Sequence, residues 1–168
     1  RLDQFDSHIE EATSGKYNVM KLPDIVAALR AGRDLPERTI AFSIDDAFLS
    51  VYTEAWPRLK KSSIPFTLFV ATDPVDQGKG AYMNWDQIRE LVKGGVTIGS
   101  QTASHLHMAA SSAKRNAADL AKSNQRFKAE LGQVPNLIAY PYGEYSLAVR
   151  KASRAAEFSA GFGQHSGV

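Results

Sequence analysis

Three features of the sequence predict an α/β fold built around a parallel sheet. Segments of helical and of strand-like periodicity alternate from one end to the other. The strand segments are near-continuous apolar runs, such as Phe66-Thr67-Leu68-Phe69-Val70-Ala71, which suits strands covered on both faces. Polar stretches rich in Asp, His, Ser and Tyr follow several of these runs. Sequential βα units assemble an active site at such strand ends, whether they close into a barrel or wind into an open sheet.

Residues 2–12 read as a helix because Leu2, Phe5, Ile9 and Ala12 fall on one face, and Ser14-Gly15-Lys16 stops it. A short strand is expected at 17–20, a helix at 23–31 with Pro23 in its first turn, and a buried strand at 39–44 that runs into Asp45-Asp46. Residues 49–61 are amphipathic with helical spacing, 66–71 form a strand, and 73–81 carry the Gly and Pro of a loop. Asn84 caps a helix running to Lys93, which Gly94-Gly95 ends. A strand at 96–99 leads into a polar loop at 101–110 that holds His105 and His107. A long helix at 112–131 stops at Gly132, and a strand at 137–140, a helix at 146–157 and a strand at 158–162 complete the pattern.

The 168 residues suit one compact domain, since 43% hydrophobic against 23% charged residues is enough to bury a core. Residues 1–168 are therefore expected to be a single domain. Arg1 is not an initiator Met and Val168 follows closely on an expected strand, so the domain is expected to be truncated at one or both ends. A balance of 20 Lys plus Arg against 18 Asp plus Glu, with the basic residues scattered, does not favour a nucleic-acid partner. No apolar run reaches the roughly 20 residues of a membrane span. Without cysteine there is neither a disulfide framework nor a thiolate metal site, so any metal must be held by oxygen and imidazole. Nothing in the sequence bears on oligomeric state.

Chemistry is expected in three strand-end loops: Ser43-Ile44-Asp45-Asp46-Ala47-Phe48, Ile98 through His105, and Ala139-Tyr140-Pro141-Tyr142-Gly143. Adjacent carboxylates repel one another, and a cation or a shared proton offsets the repulsion. One Asp alone would be read as the cap of the following helix. A pair at a strand end, with a His-bearing loop after a later strand, points to a metal site. A divalent ion such as zinc accepts carboxylate and neutral imidazole together and keeps a position open for water or substrate.

These residues resemble the polysaccharide deacetylases, the carbohydrate esterases of family four that carry the NodB homology domain. The first family motif, T-F-D-D-G, is matched by Ser43-Ile44-Asp45-Asp46-Ala47. The second, H-S/T-x-x-H, is matched by Gln101-Thr102-Ala103-Ser104-His105, and a third by Tyr140-Pro141-Tyr142-Gly143. The likeness runs over most of the chain from about Tyr17 onward. It implies a distorted or incomplete seven-stranded (β/α) barrel and a metal-dependent hydrolase that removes N- or O-acetyl groups from a polysaccharide or oligosaccharide. It implies that Asp45 is the general base, that Asp46 and His105 are metal ligands, and that Tyr142 gives its backbone N–H to an oxyanion hole. Pro141, Tyr142 and Tyr145 are expected against the substrate. The implied ion is divalent, zinc first, with cobalt, nickel or manganese as alternatives, and the implied partner is an acetylated glycan outside the cytoplasm.

The sequence departs from the family pattern at Gln101, which stands where the family places its first metal-binding His. A neutral amide is a poor zinc ligand, so metal affinity is expected to fall, with Gln101 as a weak third ligand or His107 as a substitute. Ala139 occupies the place of the motif's Arg, and the late motif that bears the general-acid His in the family is not visible, so the resemblance implies either a His beyond Val168 or His165 in that role. Two competitors follow. One is a catalytically impaired relative that binds carbohydrate through Trp85, Tyr142 and Tyr145, although Trp56 and Trp85 lie in expected helices and are read first as packing residues. The other is a response-regulator-like open sheet with a magnesium site at Asp45-Asp46, which leaves the His loop unused.

Overall fold

The computed structural model describes residues 1–78 and 80–164. Among the described residues, seven short strands and seven α-helices follow one another in an order that places five of the strands in one parallel sheet. That sheet runs β3 (Phe42–Asp45), β4 (Phe66–Val70), β5 (Thr97–Ser100), β6 (Leu137–Ala139) and β7 (Ala160–Phe162), each strand beside its predecessor in sequence. Parallel neighbours joined in sequence by right-handed crossovers send every connecting helix to the same face, and strand twist then curls the sheet. The result is an incomplete barrel, as the resemblance implies. A doubly wound sheet would reverse strand order partway across, which removes the response-regulator-like alternative.

Alternation along the strands divides the core. Phe66, Leu68 and Val70 point outward, where α3 (Trp56–Lys61) supplies Leu59, α5 (Trp85–Lys93) supplies Ile88 and Leu91, and α6 (Ala113–Leu131) supplies Phe127. Phe69, Leu137 and Ala139 point inward and pack against Leu22 and Val26 of α2 (Leu22–Arg30) and against Phe162. Gly99 lies beside Phe69 in register, and a Cβ on it would stand 2.3 Å from the Phe69 ring, so that ring can lie flat only over a glycine.

Helix α1 (Leu2–Ala12) spans the expected residues, and Asn84, Ser112 and Ser146 accept hydrogen bonds from the first turns of α5, α6 and α7 (Leu147–Ala155). Three expectations change. The strand at 39–44 is two strands: β2 (Thr39–Ile40) pairs with β1 (Asn18–Val19) in a separate sheet, and the chain crosses at Ala41 into β3. The helix at 49–61 starts as a π-helical turn, Val51–Ala55. Pro57 cannot donate to the carbonyl four residues back and its ring crowds that carbonyl, so the turn widens. The loop at 73–81 begins as a short helix, α4 (Thr72–Asp76), because Pro74 occupies a first-turn position where no amide donor is needed. No helix among the described residues is long and apolar enough to cross a membrane.

Helices α4, α5 and α6 are tied together by Asp76. It accepts from Trp85 Nε1 at 2.7 Å and from Arg126 at 2.8 Å, and Arg126 also reaches Glu130, which pairs with Arg89. Burial pushes the Asp76 carboxyl up, but the bonds from Arg126 and Trp85 outweigh it and hold the group below the ordinary carboxylate range. A folded-state pKa below the unfolded one stabilises fully above the unfolded value and is lost as pH falls through the folded value. Asp76→Asn is therefore expected to cost about 1–2 kcal/mol at pH 7, with the gap from wild type closing in acid, as followed by denaturant melts across pH.

Candidate active site

The carboxyl ends of β3, β5 and β6 meet on the inner face of the sheet around a cavity of about 430 Å³. Asp45 is the last residue of β3 and pairs in register with Phe69, whose ring lines the cavity. Immediately beyond, Asp46 and Ala47 both take left-handed backbone conformations, with φ of 72° and 49°. The Asp46 N–H donates to the Phe69 carbonyl at 3.0 Å and to Gln101 Oε1 at 3.3 Å. A bridge between Phe48 and Tyr82, with Met83 N–H donating to the Ala47 carbonyl at 2.9 Å, holds the turn from the other side.

Of the eight non-glycine residues with positive φ among those described, five lie in the three strand-end loops: Asp46, Ala47, Thr102, His105 and Tyr142. Each such residue costs about 1 kcal/mol or more, and concentration of that cost at one place marks a site whose geometry the surrounding contacts impose. Gly143 belongs to the same set, since a Cβ there would stand 2.4 Å from Gln164 at a φ of 69°.

The sheet brings Asp45, Asp46, Gln101, His105 and Tyr142 to one cavity. His105 Nε2 stands 3.4 Å from Asp46 Oδ1. That is long for a hydrogen bond, but two ligands bound to zinc at about 2.0–2.1 Å with a tetrahedral angle lie about 3.3–3.4 Å apart. The pair therefore fits a divalent ion. Gln101 is only 3% exposed, and its oxygen is turned to the Asp46 backbone. No group of three His, Asp or Glu side chains able to hold a metal occurs among the described residues. The donor set is thus one carboxylate and one imidazole.

Asp45 keeps part of its surface open to solvent, yet the protein around its carboxyl pushes its pKa up. The charge of Asp46 adds to the rise and His105 opposes it. Ala139 lines the same cavity, so β6 sends no guanidinium toward Asp45.

Tyr142, 51% exposed, sits in the turn Pro141–Gly143, its ring T-shaped to the His105 ring with centroids 4.6 Å apart and stacked on His107 with centroids 3.7 Å apart. His107 is also paired with Glu144 at 3.1 Å and is not among the residues lining the cavity of Asp45, Asp46 and His105. Pro141 is buried beneath the turn. Tyr145 stacks on Tyr140 at 5.8 Å and lines a neighbouring cavity instead of this one. Trp85 is buried edge-on against Phe127 and is a packing residue. Neither Asp45 nor Asp46 caps the following helical turn, whose N-cap is Ser50 without a side-chain bond. His165 lies outside the described residues. Phe69, Phe162 and Gln164 line the cavity but carry no local signal, because inward orientation near a strand end depends on register.

Residues 32–161 match the family model described as polysaccharide deacetylase. Among curated relatives, the Bacillus subtilis protein YxkH is 23% identical over 158 residues, covering 94% of this chain and 56% of that protein. The poly-beta-1,6-N-acetyl-D-glucosamine N-deacetylase of Staphylococcus aureus is 28% identical over 157 residues, covering 83% of this chain and 52% of that protein. The chain thus spans about half the length of these relatives. Among solved structures, IcaB from Ammonifex degensii superposes with a TM-score of 0.83 at 27% identity, covering 94% of this chain and 73% of that one. With the family model matched over more than half of its length, the chain belongs to the polysaccharide deacetylase family.

Proposed function

We propose that this domain is a metal-dependent hydrolase that removes N-acetyl groups from a polysaccharide outside the cytoplasm, with O-acetyl esters as the second substrate class. The observation that carries this reading is the convergence of Asp45, Asp46 and His105 on one cavity, with Asp46 and His105 at the separation of two zinc ligands. The Staphylococcus aureus relative is named for poly-beta-1,6-N-acetyl-D-glucosamine, which makes oligomers of that sugar the first substrate to try.

Asp46 and His105 would hold the ion, and a bound zinc, cobalt, nickel or manganese supplies Lewis-acid polarisation of the acyl carbonyl and acidifies a water. Asp45, on the same wall, takes the proton of the attacking water as the new C–O bond forms. The Tyr142 N–H, at a left-handed residue of the turn Pro141–Gly143, donates to the carbonyl oxygen as that atom gains charge. The C–N bond then breaks, the leaving nitrogen takes up a proton, and acetate and a free amine result. The exposed ring of Tyr142, backed by His107, offers a face to a sugar.

Gln101 favours a second reading, a relative with impaired catalysis that binds carbohydrate in the same cavity. Its oxygen is engaged with the Asp46 backbone, which leaves two protein ligands for the ion where three are usual in catalytic zinc sites.

Zinc titration of the chelator-treated protein separates the two. One ion is expected to bind, more weakly in Asp46→Ala and His105→Ala. Gln101→His should tighten it about tenfold or more, near 1.4 kcal/mol. Acetate release from acetylated glucosamine oligomers should follow the same order, and Asp45→Asn should abolish release while zinc uptake persists. Retained oligomer binding without zinc uptake by the wild type would establish the second reading.

The acidic pair also predicts a trade of stability against function. Because the folded-state pKa of Asp45 is raised, its contribution to stability is fully present below the unfolded value and lost as pH rises through the folded one. Metal-free Asp45→Asn is expected to melt at a higher temperature than wild type at pH 7, with the gain vanishing below the ordinary carboxylate range. Calorimetry at pH 7 and at pH near 3 checks it.

A further inference from the structure

The loop that carries His105 leaves β5 at Ser100 and contains two left-handed residues, Thr102 and His105, with φ of 67° and 55°. Its shape is imposed from two sides. On one side a single carboxylate, Asp119 of α6, accepts from Ala103 N–H at 2.8 Å, from Ser104 N–H at 3.2 Å and from Ser104 Oγ at 2.6 Å. On the other, the N–H groups of Thr72 and Asp73 at the start of α4 donate to the carbonyls of Thr102 and Ala103 at 3.3 and 2.9 Å. Lys122, one turn beyond Asp119, pairs with Asp73 at 2.7 Å, so the two sides of the grip are joined. Helix α6 is itself anchored by Leu120 and Phe127 in the core, and its Ser123 hydroxyl meets Ser100 Oγ at 3.1 Å below the loop.

We propose that Asp119 is the positioning residue for His105, holding the imidazole at Asp46. The inference rests on the reading that His105 acts together with Asp46. All three groups facing the Asp119 carboxylate donate, so the position calls for a side chain that only accepts. An amide would turn an NH₂ toward one of them. Residues 103 and 104 immediately precede His105, and without their bonds the left-handed backbone on either side has less to oppose its relaxation. Relaxation there carries the imidazole away from both Asp46 and the Tyr142 ring. A contribution to general loop stability alone would lower the melting temperature without moving that ring contact.

The test uses Asp119→Asn, Asp119→Glu and Ser104→Ala in two measurements. In the metal-free protein, wild type should show a nuclear Overhauser contact between the His105 and Tyr142 rings, whose centroids are 4.6 Å apart. Asp119→Asn should lose it, Asp119→Glu should regain part of it, and Ser104→Ala, which removes one of the three donors, should fall between. Zinc affinity should drop about tenfold to a hundredfold in Asp119→Asn, with the same ranking among variants. An unchanged ring contact and unchanged zinc affinity in Asp119→Asn would overturn the assignment. If Asp119→Asn does not fold, Ser104→Ala decides in the same way. If wild type takes up no zinc and the ring contact still depends on Asp119, the metal-dependent reading fails while the positioning role stands.

Discussion

The parallel register of β3, β4 and β5 is the constraint on which the site depends. Asp45, Phe69 and Gly99 lie in one row across the three strands. Parallel strands deliver their carboxyl ends to one edge of the sheet, so whatever follows Asp45 and Ser100 emerges on the same side. The row also builds the floor, because Phe69 lies over the bare Cα of Gly99 and presents its ring to the cavity. A shift of one residue in either pairing would turn Phe69 to the outer face and separate the carboxylates from the imidazole.

On that floor the site is assembled from unfavourable parts. Two carboxylates stand side by side, one with its pKa raised by its surroundings and by the other's charge, and the residues that aim the side chains adopt backbone conformations that cost energy. What offsets these costs lies outside the cavity. The Asp46 turn is held by the Phe69 carbonyl, Gln101 and the Phe48 bridge, and the His105 loop is gripped between α4 and α6. The ion pairs of Asp76, Arg126 and Glu130 fix α4, α5 and α6 relative to one another, so the rigidity of the helical layer reaches the imidazole through hydrogen bonds.

Gln101 shows how one substitution redistributes roles within such a site. A histidine at this position would offer a nitrogen to a cation. The amide instead accepts from the Asp46 N–H, so its oxygen braces the turn that carries Asp46. The carboxylate and the imidazole keep the spacing of two tetrahedral ligands, while the strength of any ion binding rests on fewer protein atoms.

The residue pattern by itself determined the alternation of strands and helices, the cap at Asn84, the helix starts at Ser112 and Ser146, and the candidates Asp45, Asp46, His105 and Tyr142. Each of these is encoded locally, as a run of apolar residues, a capping side chain or a polar group just past a strand. Tertiary structure alone decided that the chain changes sheets at Ala41, that Tyr145 and His107 do not line the cavity of the acidic pair, that Gln101 serves the Asp46 backbone, and that Asp119 holds the His105 loop. Asp119 looks, in its own stretch of sequence, like any half-exposed acid on a helix. The physical reason for the division is range. Periodicity reports which face of a segment is apolar, whereas the partner of a polar group across a crossover is settled only when register and helix packing bring distant backbone donors within reach.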